Sequence, residues 1–189
     1  MLALIGQSIA GVNAYNSERH DHGRPQVSYW GYLGSGHFVE GVAENWESAF
    51  LDLTVFVWLG KYLRQKGSAE SRDPNDQRPL PRYLRRGNLR KFVYAHSLSL
   101  TLAALFIVSM AMHAWGGSRK YSENQLAHGQ PPVSFFGYFL TSSFWFESLQ
   151  NWQSEFLSVG AMAVLTIFLR EAGSPQSKSV EAPDEETES

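Results

Sequence analysis

Residues 92–115, FVYAHSLSLTLAALFIVSMAMHAW, form a run of 24 positions without a single Lys, Arg, Asp or Glu. A helix rises 1.5 Å per residue, so about 20 apolar residues cross a hydrocarbon layer of roughly 30 Å. Arg85, Arg86, Arg90 and Lys91 guard one end. His113 and Trp115 sit at the other, where amphipathic rings favour the headgroup layer. A buried helix of a soluble domain is the competing reading, but such helices seldom run past about 20 residues without a charge. The run predicts a membrane-spanning helix over 92–115.

The remaining composition narrows the choices. The chain has no Cys, which excludes disulfides, thiolate metal sites and cysteine nucleophiles. A net charge of −2 gives no reason to expect nucleic acid. Twelve Phe and six Trp suit interfacial aromatic belts. The apolar N-terminus, residues 1–14, lacks the basic start of a secretory signal and is short for a full span.

An internal repeat sets the organisation. Sliding the chain by 106 residues superimposes 15–72 on 121–178 with 20 identities in 58 gap-free positions. His22-Gly23 falls on His128-Gly129, and Pro25-x-Val27-Ser28 on Pro131-x-Val133-Ser134. Asn45-Trp46-x-Ser48-x-Phe50-Leu51 falls on Asn151-Trp152-x-Ser154-x-Phe156-Leu157, and Leu63-Arg64 on Leu169-Arg170. Each copy reads as a span, a polar loop, a short aromatic segment and a second span. The first repeat is then 1–72, with a half-span at 1–14, an outer loop at 15–44 and a span at 45–63. A basic cytoplasmic linker follows at 73–90. The second repeat is 91–171, with spans at 92–115 and 151–169 around an outer loop at 116–150. The register sets Met1 opposite Ile107, mid-span, so the favoured expectation is an initiation codon further upstream; the alternative is a true half-span.

Lys and Arg in short loops orient such a bundle. Ten basic residues crowd the 61–91 connector, against two in each outer loop, so the connector and both termini are expected on the cytoplasmic side. The tail, 172–189, is acidic and Ser/Pro-containing and is expected to be disordered.

Candidate site residues come from the repeated motif. Asn45, Ser48 and Asp52 share one helical face, as do Asn151, Ser154 and Ser158, next to Trp46 and Trp152. Interfacial belt and helix-capping roles are the favoured reading; the alternative is the polar rim of a ligand entrance. Asp52 and Glu155 lie at expected membrane depth but are not repeat equivalents, which argues against a symmetric carboxylate pair. His20, His22 and His37 cluster with Glu40 in the first loop, and imidazole with carboxylate suits zinc or iron. Only His22 has an equivalent, His128, and both precede a Gly, so helix-terminating turns are favoured over metal. His96 and His113 cap the ends of the third span or, as the lesser reading, ligate haem. The aromatic segments 29–38 and 135–146 suit short interfacial helices. No phosphate-binding glycine loop, HExxH, GxSxG or paired catalytic carboxylate spacing is present.

The pattern Tyr15-Asn16-x-Glu18, His22-Gly23-x-Pro25, His37-Phe38-x-Glu40, Glu44-Asn45-Trp46-Glu47-Ser48 through Gly67-Ser68 resembles an uncharacterised family of small bacterial membrane proteins. The resemblance covers nearly the whole chain. It implies a bacterial inner-membrane location and supplies no activity. Glu40 aligns with Phe146, its apparent counterpart Glu147 lying one position later.

The expected fold is an all-α integral membrane bundle of two parallel two-helix repeats, four spans with the first truncated. The expected role is a non-enzymatic interaction or structural protein, with no cofactor and no metal. Its partners would be the lipid bilayer and a second copy or another membrane protein. The alternatives are a small transporter or channel and, third, a metal- or haem-binding membrane protein.

Overall fold

Helix propensity outruns hydropathy at the ends of the apolar runs, because a polar stretch such as SRKYSENQLA still favours helix once nucleated. The computed structural model describes residues 2–60, 62, 89–174 and 176–183. Those residues are all-helical, with no strand among them. The helices are α1 (Leu2–Asp21), α2 (Tyr29–Leu33), α3 (Gly36–Leu59), α4 (Leu89–Ala95), α5 (Ser97–Ala127), α6 (Phe135–Phe139) and α7 (Ser142–Phe168).

Their bounds differ from those read off hydropathy. Helices α1 and α5 continue well into the stretches expected as outer loops, and α3 and α7 begin before Asn45 and Asn151. Hydropathy measures the apolar thickness a segment can cross, not where its hydrogen bonding ends. The aromatic segments also differ from expectation: each is split, its first five residues forming α2 or α6 and the rest opening α3 or α7. Most of the expected linker, 73–88, lies outside the described residues, as do positions 175 and 184–189 of the tail. The described part of the tail folds back through an Arg170-to-Ala182 carbonyl hydrogen bond of 3.0 Å and buries Lys178.

Helix α5 is the one helix among the described residues that is both long and apolar enough to cross a membrane. At 20, 24 and 27 residues, α1, α3 and α7 are also long enough, at about 1.5 Å per residue. Acidic side chains dilute the apolar character of α3 and α7, as Glu18 and Arg19 do that of α1.

Two compact units divide the chain differently from the repeats. Unit 1 comprises Met1–Ala49 and Leu105–Asn151; unit 2 comprises Phe50–Ala104 and Trp152–Ser189. Within unit 1 the same devices recur 106 positions apart. His22 Nδ1 meets the Glu18 carbonyl and His128 Nδ1 that of Asn124, each at 2.8 Å, as α1 and α5 end. The glycine that follows adopts φ +65° at Gly23 and +71° at Gly129, a region open to residues without Cβ. Asn16 bonds both backbone groups of Val27, and Ser122 Oγ both those of Val133. Ser28 and Ser134 then cap α2 and α6 by accepting from Gly31 and Gly137. Tyr32 and Tyr138 swing back over Gly11 and Gly117, where any Cβ would collide with the phenol ring. Phe144, Ala114 and Tyr138 form the apolar core, packed by Met110, Tyr121 and Phe139.

Candidate functional site

Glu40, Glu44 and Glu47 recur at i, i+4 and i+7, so α3 carries one acidic stripe. His113 and Lys120, seven apart, place an imidazole and an ammonium on one face of α5. In unit 1 these two faces meet. Gly36 and Gly116 let the backbones approach so closely that a Cβ on Gly116 would lie 2.5 Å from the Glu40 amide nitrogen.

The result is a buried acid–histidine cluster. Glu47 and His113 are both fully buried, and His113 Nδ1 is 2.9 Å from Glu47 Oε2. Phe144 packs against the imidazole at 4.7 Å between ring centres, 31° from parallel, which fixes the ring plane. The other ring nitrogen, Nε2, is buried without a hydrogen-bond partner; Glu147 Oε2 stands 3.5 Å away. The Tyr138 hydroxyl donates to Glu147 Oε2 at 2.6 Å and lies 3.3 Å from Glu40 Oε1. Burial first, then that bond to Glu147, pushes the Tyr138 phenol well above its ordinary pKa, so it remains a donor. Lys120 Nζ pairs with Glu40 Oε2 and is the cluster's second cation-bearing group. Glu40, His113 and Glu147 each offer a ligand atom, and these atoms lie within 4.8 Å of one another.

Lys120 also lines a narrow cleft with Tyr15, His37, Arg24 and Glu123, giving the cluster an edge toward the surface. Tyr15 donates to Glu123 at 2.8 Å there, and Arg24 donates to the Glu123 carbonyl at 2.8 Å. Burial raises the Tyr32 phenol pKa against the opposing charge of Lys120.

The residues singled out from the repeated motif lie elsewhere. Asn45 is exposed and donates to its own helix at the Gly41 carbonyl, 2.7 Å; Asn151 does the same at Glu147, 3.3 Å. Ser48 is buried but turns back on the Asn45 carbonyl, and Ser158 on that of Glu155. Trp46 and Ser154 are exposed, and Trp152 is half-buried. Asp52 is buried and Glu155 half-buried, both in unit 2. His22 and His128 are exposed, with ring centres 6.3 Å apart. The loop set of His20, His22, His37 and Glu40 is not brought together. His20 is exposed beside Asp21, His37 packs against Tyr15 and Tyr32, and Glu40 turns into the cluster.

Repeat equivalence singles out neither Glu47, which falls on Gln153, nor the meeting of Glu40 with Glu147. Glu40 has Phe146 as its equivalent and Glu147 has Gly41, yet both carboxylates converge on one phenol. The i, i+4, i+7 acids of α3 were the legible signal.

Neither the curated proteins nor the solved structures contain a match to this chain. A family's sequence model matches residues 1–189, end to end. The chain belongs to the domain-of-unknown-function family DUF6766.

Proposed function

We propose that this chain is an integral membrane protein of the bacterial inner membrane whose working part is a cation-binding polar interior. It belongs to the transporter or channel class rather than to the enzymes. In this reading α1, α3, α5 and α7 cross the bilayer as two helix pairs. The basic 61–91 connector and both chain ends lie on the cytoplasmic side.

One observation carries it: burial is inverted. Among the described residues, the buried set holds eleven polar or charged side chains and only seven hydrophobic ones. Large apolar residues such as Ile107, Leu157 and Phe168 are mostly exposed. In water this arrangement forfeits the main driving force of folding, whereas in lipid it hides the charges and satisfies the tails. Ionisable groups at such positions face a bundle interior and mark ion or proton sites. The bonds recurring 106 positions apart in unit 1 support a duplicated helix pair.

A second reading, docking to another membrane protein, is favoured by the short helices, where Trp30 is 78% and Phe136 74% exposed. Alkaline carbonate extraction of cell membranes checks the membrane reading. The protein is expected to stay in the pellet and to be released only by detergent; release by carbonate alone contradicts it.

A further inference from the structure

We infer that Glu40, His113 and Glu147 form a binding site for a divalent first-row transition-metal ion, with Glu47 orienting the histidine and Lys120 competing with the metal for Glu40. This rests on the cluster being a cation site and goes further by naming the cation and its ligands.

The imidazole is already arranged as a ligand. Glu47 holds Nδ1 at 2.9 Å, the carboxylate–histidine contact that fixes tautomer and ring direction at metal centres. With the proton on Nδ1, the Nε2 lone pair is free, and Nε2 is a buried atom without a hydrogen bond. Its 3.5 Å separation from Glu147 Oε2 is long for a hydrogen bond. It is close to the roughly 3.4 Å between two atoms bound to one tetrahedral metal at about 2.0–2.1 Å. Tyr138, donating to Glu147, holds that carboxylate in place.

Charge points the same way. Glu40, Glu44, Glu47 and Glu147 set four carboxylates around the two basic groups, His113 and Lys120. The carboxylates outnumber the basic groups, and a bound cation offsets that excess. A nitrogen donor beside carboxylates disfavours Mg²⁺ and Ca²⁺, which take oxygen, and favours Mn²⁺, Fe²⁺, Co²⁺ or Zn²⁺. Three protein donors leave coordination positions open for water or an exchangeable anion.

Co²⁺ is the probe, titrated into detergent-solubilised, chelator-stripped protein and followed by its visible absorption. Wild type is expected to bind one equivalent saturably. His22→Ala and His128→Ala, outside the cluster, should bind as wild type does; loss there would move the metal to the turn histidines and overturn the assignment. His113→Gln and Glu147→Gln, judged only if far-UV dichroism shows native helix, should lose the band. Glu47→Gln should weaken binding roughly 10–100-fold and shift the band, the signature of a disturbed second layer around the metal. Lys120→Met should tighten binding by removing the competing ammonium, which a merely structural lysine would not do. No saturable Co²⁺ band in folded wild type overturns the metal site, as does unchanged binding by both Gln variants. If Na⁺ or K⁺ then raises the melting temperature, the broader cation-site reading stands alone; if no cation does, both fall.

Discussion

Replacing His113 by alanine is expected to destabilise the protein by about 3–5 kcal/mol in metal-free detergent solution, because it breaks a buried carboxylate–imidazole pair. Glu47 and His113 are both at 0% exposure and 2.9 Å apart, so the variant removes that contact from a buried carboxylate and opens a void against Phe144. Replacing both residues with leucine should recover much of that loss, since an apolar pair of similar volume carries no desolvation penalty. Thermal melts of the single and double variants check this, and their difference measures the coupling. A His113→Ala loss below about 1 kcal/mol would mean that water reaches the pair.

Gly116→Ala is the second large effect. The added methyl would lie 2.5 Å from the Glu40 amide nitrogen and 2.9 Å from the Gly36 carbonyl oxygen, both backbone atoms that cannot rotate away. The α3 and α5 backbones in unit 1 must move apart, at an expected penalty of about 1–3 kcal/mol or more. Small residues permit this kind of close helix approach in membranes. Because Glu40 lies at the crossing, the same substitution should also reduce Co²⁺ affinity. Gly6→Ala is the control: nothing lies within 4 Å of its Cβ position, so stability should hold or rise by about 0.5–1 kcal/mol. Equal melting temperatures for the two variants would contradict the close crossing.

The local punctuation of the fold was legible in the sequence. His22-Gly23 and His128-Gly129 end helices as their composition implies, and Ser28 and Ser134 begin short aromatic ones. These are contacts within a few residues, which a linear reading can reach. Helix ends were less legible, since polar residues such as Arg119 to Gln125 extend α5 without contributing to hydropathy. The cluster was the hardest to see. Its members come from α3, α5, α6 and α7, and their meeting depends on Gly36 and Gly116 rather than on any motif. Repeat equivalence points instead to Asn45 and Asn151, each of which donates to a carbonyl of its own helix. An asymmetric site grafted onto a duplicated frame leaves no symmetric trace.

The proposed membrane setting requires apolar side chains to face lipid while the acid–histidine cluster of unit 1 is sheltered. Tryptophan fluorescence of the protein reconstituted into vesicles tests it most directly, because Trp30, Trp46, Trp58, Trp115 and Trp145 are all substantially exposed. Brominated lipids are expected to quench most of the emission while aqueous iodide quenches little. Strong iodide quenching with no effect of bromination would contradict the claim.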